Sequence, residues 1–256
     1  MRFTRRGLIG AGAAALGGAW LEARAASDPY ADGVLVAGEP PLPAEGAFTF
    51  AVLPDTQNYA EHFPATFTAQ TEWLVAQRER RRIAAVFHLG DVTNHNVPAE
   101  WANARKSLGL LDDAGLPWCL VPGNHDYGPG GTAADRTTLL GETLPVAERR
   151  GRPWWGGSYD REPDRADNTF VLVEAAGRRF LVLGLEFGPR ADVVRWANEV
   201  VGDHRDHEVV LLTHAFVYHD DTRYDWRTKG RKQSHNPHDY PLARASADDV
   251  HDGEQL

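Results

Sequence analysis

The sequence predicts an α/β fold built around a largely parallel β-sheet. Short apolar runs, which we interpret as strands, alternate with segments of helical periodicity, and this alternation is typical of parallel strands joined by crossover helices. Two later strands joined by a tight turn add an antiparallel hairpin. The chain has 256 residues, of which 42% are hydrophobic. It is therefore long enough to bury one sizeable core.

The first half of the chain supplies three strands and two helices. The segment 83–89 is apolar almost throughout, as is typical of a strand covered on both faces. Pro98 stands near the start of the second helix and Gly115 just past its end, where these residue types are favoured. The predicted elements are a strand over 48–53, a helix over 66–82, a strand over 83–89, a helix over 98–111 and a strand over 117–120.

The second half supplies the hairpin, one long helix and a last strand. The two hairpin strands are predicted to pair across a turn at Ala175-Ala176-Gly177. The predicted elements are a short helical stretch near 136–144, strands over 168–174 and 179–185, a helix over 191–201 and a strand over 208–213.

Residues 1–25 have the features of an export signal. Thr4 to Gly10 contains a twin-arginine motif, a short apolar stretch rich in Gly and Ala follows, and Ala23-Arg24-Ala25 resembles a cleavage site. The alternative, a membrane anchor, is disfavoured because a spanning helix needs about 18 apolar residues or more. We predict recognition by the twin-arginine export machinery, a periplasmic or secreted location and no stable membrane span in the mature form.

The mature chain is predicted to consist of an extended lead-in and one domain. The lead-in, residues 26–47, is rich in proline and shows no periodicity. The domain covers 48–256 and carries the only cysteine, Cys119, which lies in an apolar strand and is expected to be buried. The formal net charge of −9 argues against a nucleic-acid partner but allows a small phosphorylated substrate.

Polar residues with metal-binding side chains directly follow four of the predicted strands. These residues are Asp55, Asp91, Asn124 and His214. In open α/β sheets, ligands bind at the carboxyl ends of the strands. We therefore expect the four side chains to meet at one edge of the fold. A pair of metal ions about 3.5–4 Å apart, held by such oxygen and imidazole ligands, is a common device for hydrolysing phosphate esters.

The order of these motifs resembles that of the calcineurin-like metallophosphoesterases. Matching runs are Pro54-Asp55-Thr56-Gln57, Gly90-Asp91, Gly123-Asn124-His125-Asp126 and Thr213-His214. Gln57 stands where histidine is usual, as in a secreted subset of that superfamily. The resemblance implies two mixed β-sheets packed as a sandwich and flanked by helices.

The fifth family block, Gly-His-x-His, has no counterpart after His214. Residues 247–256 have the pattern of a helix that begins without being completed. We therefore expect the sequence to be a fragment that ends before the last strand of the fold and its histidines, and that binds metal poorly for this reason.

The resemblance also implies a set of metal ligands. Asp91 would bridge two metal ions, Asp55 and Gln57 would bind one of them, and Asn124 and His214 would bind the other. The ions would be divalent or trivalent, namely Mn, Fe or Zn. A hydroxide that bridges them would attack the phosphorus atom.

Two neighbouring residues are implied in catalysis. His125 would donate a proton to the leaving oxygen or stabilise charge there, and Asp126 would orient His125 through its ring nitrogen.

Other polar and aromatic residues near the motifs allow two interpretations. Asn94 and His95 could contact substrate phosphate, or they could shape the loop after Asp91. Trp155 and Tyr159 could line a substrate groove, or they could pack in the core.

The sequence thus predicts an exported metallophosphoesterase that acts on a small phosphorylated substrate or a phosphoprotein. Its substrate could be a monoester or a diester. The alternative is a non-catalytic envelope binding protein that retains the fold, which Gln57 and the missing histidines favour. A nuclease is disfavoured by the acidic charge balance.

Overall fold

In the part of the chain that the structure describes, the first sheet contains three parallel strands, in the order β1-β2-β3. They are β1 Thr49–Leu53, β2 Ile83–His88 and β3 Trp118–Leu120. Parallel neighbours require a crossover connection, and helices supply both crossovers. These helices are α1 Gln57–His62 and α2 Pro64–Gln77 between β1 and β2, and α3 Pro98–Asp113 between β2 and β3.

The computed structural model describes residues 38–246 and 249–256. The predicted signal, residues 1–25, and residues 26–37 of the lead-in lie outside this range. Residues 41–256 form one compact unit. Within the described residues, none of the helices is both long and apolar enough to span a membrane.

The second sheet has four strands in the order β4-β5-β6-β7. Its first three strands are antiparallel neighbours, and the last pair is parallel. The strands are β4 Trp155–Ser158, β5 Thr169–Ala175, β6 Arg178–Gly184 and β7 Glu208–Leu212. Short helices α4 Leu140–Thr143 and α5 Val146–Arg149 precede β4, α6 Ala191–Asp203 joins β6 to β7, and α7 Trp226–Lys229 and α8 Pro241–Ala245 follow β7.

The two sheets pack face to face across one hydrophobic core. The ring of Phe50 on β1 lies 5.1 Å from that of Phe180 on β6, at an interplanar angle of 86°. Gly184 on β6 lies so close to the first sheet that a Cβ atom there would stand 2.9 Å from Cys119 Sγ. Cys119 is buried, as expected, and burial raises the pKa of its thiol to about 11.

The predicted sandwich of two sheets flanked by helices is confirmed, with one refinement. Only the second sheet is mixed, because both connections within the first sheet run through crossover helices. The helix expected over 247–256 is wrong for the part that the structure describes. Residues 249–256 form an isolated bridge from Val250 to Arg190 and a turn. The sequence reasoning also missed α1 and β4.

Candidate metal centre

The first two strands of the parallel sheet end in tight turns that carry carboxylates. Asp55 follows β1 with φ +41°, and Asp91 follows β2 with φ +49°. Residues other than glycine rarely adopt this left-handed conformation, and such strain is concentrated at functional sites. Asp55 is exposed, whereas Asp91 is only 6% exposed.

The turn after β3 packs directly against Asp91. A Cβ atom at Gly123 would stand 2.8 Å from Asp91 Cγ and closer still to its Oδ1 atom, so position 123 has no space for a side chain. The backbone N–H of His125 donates a hydrogen bond to Asp91 Oδ1 at 3.0 Å. The glycine therefore brings the 123–126 turn into contact with the buried carboxylate.

His214, which follows β7 after Thr213, completes the cluster from the second sheet. Its Nδ1 donates to the carbonyl oxygen of Leu89 at 2.8 Å, which can only accept. The opposite nitrogen, Nε2, lies 3.5 Å from Asp91 Oδ1. A hydrogen bond of this kind fixes the ring orientation and leaves Nε2 as the atom that can bind a metal.

Asp55, Asp91 and His214 together offer ligand atoms that all lie within 4.8 Å of one another. Burial opposes the charge on His214, but its hydrogen bond to Asp91 and the charges of Asp91 and Asp55 raise its pKa to about 9. Burial likewise opposes ionisation of Asp91, yet His214 lowers the pKa of this carboxyl. Burial, and to a lesser extent the charge of Asp91, raise the pKa of Asp55. Two close carboxylates with one imidazole form a site that a cation would stabilise.

The two remaining predicted ligands are Gln57 and Asn124. Gln57 is the first residue of α1, and its Oε1 atom is buried and accepts no hydrogen bond within the described residues. A buried oxygen without a partner is costly unless a ligand satisfies it. Asn124 stands between Gly123 and His125, both of which contact Asp91. These observations fit a metal site built from hard oxygen donors and one imidazole.

His125 is held by the backbone rather than by the carboxylate that follows it. Its Nδ1 donates to the carbonyl oxygen of Asn94 at 2.8 Å. Gly131 packs over this contact, since a Cβ atom there would stand 2.8 Å from the carbonyl oxygen of His125 and closer still to that of Asn94. The ring is therefore held through its Nδ1 atom.

The expectation that Asp126 orients His125 is wrong. Asp126 is fully buried, and its Oδ1 accepts from the backbone N–H and hydroxyl of Thr93, at 2.8 and 2.9 Å. Its Oδ2 accepts from the N–H groups of Gly123 and Val92, at 2.9 and 3.1 Å. Burial and the charge of Asp91 raise the pKa of Asp126 to about 6, against the effect of these backbone hydrogen bonds. Asp126 thus connects the turn after β3 with the loop after β2 through hydrogen bonds.

Asn94 and His95 face a different group of carboxylates. Asn94 Nδ2 donates to Glu61 Oε2 at 2.6 Å, and His95 Nδ1 lies 3.0 Å from Glu100 Oε1. Glu61, His95 and Glu100 form a second group with ligand atoms within 4.8 Å of one another. The Glu100 carboxylate also accepts the backbone N–H groups of Asn94 and His95. Of the two interpretations, these contacts favour the one in which both side chains shape the loop.

The contacts of Trp155 and Tyr159 favour the second of their two interpretations, in which the rings pack within the fold. Trp155 lies on β4, at the opposite edge of the sheet from β7, and packs against the core beside the guanidinium of Arg149. Tyr159 is 2% exposed and packs its ring against Trp196 of α6. Its hydroxyl donates to Asp192 at 2.7 Å. The Tyr159 ring is therefore buried, and that of Trp155 is partly buried against the core.

Sequence reasoning missed several residues that build the site. Leu89 acts through its carbonyl group and Thr93 through its hydroxyl and N–H, so neither has a side-chain signature that points to a metal centre. Phe187, which follows β6, lies 5.9 Å from the ring of His214. Its position at a strand end was the only available signal.

Comparison with known proteins places this geometry in a family. The calcineurin-like phosphoesterase family matches residues 48–243. The chain belongs to this family.

Two individual proteins also share sequence or structural similarity with this chain. The uncharacterized protein YvnB of Bacillus subtilis (strain 168) is 31% identical over 187 residues, which cover 72% of this chain and 14% of YvnB. The chain therefore spans a small part of that relative. Among solved structures, purple acid phosphatase PPD1 from yellow lupin (Lupinus luteus) seeds shares 15% identity with a TM-score of 0.38, over 69% of this chain and 32% of that chain. A likeness at this level supports no conclusion about activity.

Proposed function

We propose that the protein is a metal-dependent phosphoesterase whose active site is the edge where β1, β2, β3 and β7 end. The observation that carries this proposal is the cluster of Asp55, Asp91 and His214, with ligand atoms within 4.8 Å of one another. Its ligands come from both sheets, and Asp91 lies in contact with the turn that carries His125. The substrate class is a small phosphorylated compound or a phosphoprotein.

The donor set supports a centre with two metal ions, either Mn, Fe or Zn. Asp91, Asp55, Gln57, Asn124 and His214 would hold the ions, with Asp91 as the ligand shared between them. Bound ions would neutralise the charge of the phosphoryl oxygens and lower the pKa of a coordinated water. The protein contributes the orientation of its donors, because Leu89 holds His214 and Gly123 holds the position of Asp91.

His125 is the group that would assist the leaving oxygen. Its backbone N–H is bonded to Asp91, which keeps the residue beside the metal ligands. Its Nδ1 is occupied by the Asn94 carbonyl, so a proton can be delivered only from Nε2 of the imidazolium form. Such a donor stabilises the negative charge that develops on the departing alcohol.

Export to the periplasm or the exterior is part of the same proposal. It is supported by the twin-arginine motif within residues 4–10 and the Ala23-Arg24-Ala25 sequence. The twin-arginine machinery is the export partner that this motif implies. Fusion of residues 1–25 to a reporter tests the proposal, since replacement of Arg5 and Arg6 by lysine should keep the reporter in the cytoplasm.

Hydrolysis is tested with nitrophenyl phosphate and bis-nitrophenyl phosphate on protein supplied with Mn²⁺. We expect turnover of at least one ester, loss of turnover in Asp91→Asn, and full activity in Asp164→Asn, whose side chain is 86% exposed. The comparison of the two esters distinguishes a monoesterase from a diesterase. Absence of turnover with metal bound would favour the alternative, a non-catalytic envelope binding protein.

A further inference from the structure

The segment that follows His214 packs back over the site. The N–H of Leu242 in α8 donates to the carbonyl of Ala133 at 3.0 Å. Pro237 contacts Gly188, where a Cβ atom would stand 2.9 Å from the Pro237 Cβ. These anchors fix the short stretch 235–240 between two loops that lead away from the strand ends.

Tyr240 in this stretch is linked to the metal cluster through one aromatic side chain. The ring of Phe187 lies 5.0 Å from the ring of Tyr240, at 88°, and 5.9 Å from the ring of His214, at 64°. Phe187 is fully buried, whereas Tyr240 is only partly buried. Tyr240 therefore lies between the solvent and Phe187, the buried residue that contacts the ring of His214.

The hydroxyl of Tyr240 is paired with an exposed histidine. Its Oη atom lies 3.3 Å from Nδ1 of His235, which has a φ of +63°. Residues other than glycine adopt this left-handed conformation uncommonly, although histidine is among those that do so more often. The structure thus maintains an imidazole beside a hydroxyl at the margin of the site.

Asp91 acts electrostatically on this hydroxyl. Burial, followed by the negative charge of Asp91, raises the pKa of Tyr240 to about 12. The hydroxyl therefore stays protonated at neutral pH and retains a hydrogen to donate. A neutral hydroxyl can donate a hydrogen bond to an anion that is held in place by cations.

We propose that Tyr240, supported by His235, binds substrate by donating a hydrogen bond from its hydroxyl to a phosphoryl oxygen of the ester. This inference rests on the proposed function, since the phosphoryl group must lie at the metal cluster. It assigns a binding role to a segment that carries none of the metal-ligand motifs.

The test is binding of inorganic phosphate to Mn²⁺-loaded protein, measured by calorimetry on the wild type, Tyr240→Phe and Tyr218→Phe. Tyr218 belongs to the same aromatic cluster, but its hydroxyl contacts Ser234 at 3.2 Å. Both substitutions keep the ring, and metal content and thermal unfolding are measured on each variant. We expect phosphate binding about tenfold weaker in Tyr240→Phe, as for the loss of one hydrogen bond to a charged group, and unchanged in Tyr218→Phe.

Equal phosphate affinity in Tyr240→Phe and the wild type would overturn the inference, and so would a metal-loaded wild type that does not bind phosphate. Ester turnover is measured separately on the same samples. Weakened phosphate binding in Tyr240→Phe without turnover by the wild type would support the role of Tyr240 while contradicting the proposed hydrolysis. Turnover by the wild type, together with unchanged phosphate binding in Tyr240→Phe, would support the proposed hydrolysis and contradict the role of Tyr240.

Discussion

Gly123 lies against Asp91 so closely that a Cβ atom at position 123 would stand 2.8 Å from the carboxylate carbon. This contact between two loops places the turn after β3 on the carboxylate after β2. Any side chain at position 123 must displace Asp91 or its own turn.

We expect Gly123→Ala to weaken metal binding by at least about tenfold, the effect seen when groups that orient metal ligands are changed. Metal affinity can be measured by calorimetry with Mn²⁺. The matched control is Gly109→Ala in α3, where a Cβ atom meets nothing within 4 Å. That control should raise the free energy of unfolding by about 0.5–1 kcal/mol, because alanine is favoured over glycine within a helix. Wild-type metal affinity in Gly123→Ala would contradict the tight contact.

We expect Asp126 to contribute to the stability of the fold rather than directly to catalysis. Its carboxylate accepts four hydrogen bonds, whereas an amide has only one oxygen and would turn its NH₂ group toward N–H donors. Asp126→Asn should therefore lower the free energy of unfolding by about 2–3 kcal/mol, the cost of leaving buried groups unsatisfied. Urea denaturation measures this effect. A variant with wild-type stability and a defect confined to catalysis would restore the idea that Asp126 acts through His125.

His125 is expected to affect turnover without affecting metal content. Its side chain touches the Asn94 carbonyl and contributes no ligand to the cluster of Asp55, Asp91 and His214. His125→Ala should reduce kcat by about 10²–10⁴-fold, as for loss of a general acid. Metal per chain, measured by elemental analysis, should equal that of the wild type. The control is His207→Ala, because His207 precedes β7 and lies at the end of the strand opposite to His214. This variant should keep full activity. Equal losses of kcat in both variants would exclude a specific role for His125.

His88 should make the protein sensitive to acid. The residue is 1% exposed, with Nε2 2.9 Å from the Thr56 hydroxyl, and burial lowers its pKa from 6.5 to about 3. Between pH 6.5 and about 3, His88 is protonated in the unfolded chain but neutral in the folded chain. The free energy of unfolding therefore decreases as the pH falls from 6.5 toward 3.

The comparison of wild type with His88→Gln isolates this effect. The variant should lose stability less steeply between pH 6 and 4, by up to about 1.4 kcal/mol per pH unit for one proton. Urea denaturation at a series of pH values measures both slopes. Parallel slopes would mean that His88 takes up its proton in the folded state.

The meeting of Asp55, Asp91 and His214 could be predicted from the sequence because each closely follows a strand. Asp55 and Asp91 follow neighbouring parallel strands, whose carboxyl ends share one edge, and the packing of the two sheets brings His214 after β7 to the same edge. The partners of Asp126 could not be predicted in this way. Its direction depends on N–H groups supplied by another loop after β2, and no local pattern reports such a contact.

The environment of Trp155 could not be predicted from local sequence either. Trp155 stands before two glycines in β4, and the ring of Phe170 fills the space that their side chains would occupy. This packing against the neighbouring strand decides which way the segment faces. The sequence shows aromatics and glycines together, which is equally compatible with a substrate groove and with a packed edge strand.

The central claim is that Asp91 binds metal together with Asp55 and His214. It is tested most directly by crystals grown with Mn²⁺, with anomalous diffraction used to locate the ion. We predict an anomalous peak in contact with Asp91 and with at least one of Asp55 and His214. Its absence from that position in ordered crystals, with the three side chains bonded only to each other, would contradict the account.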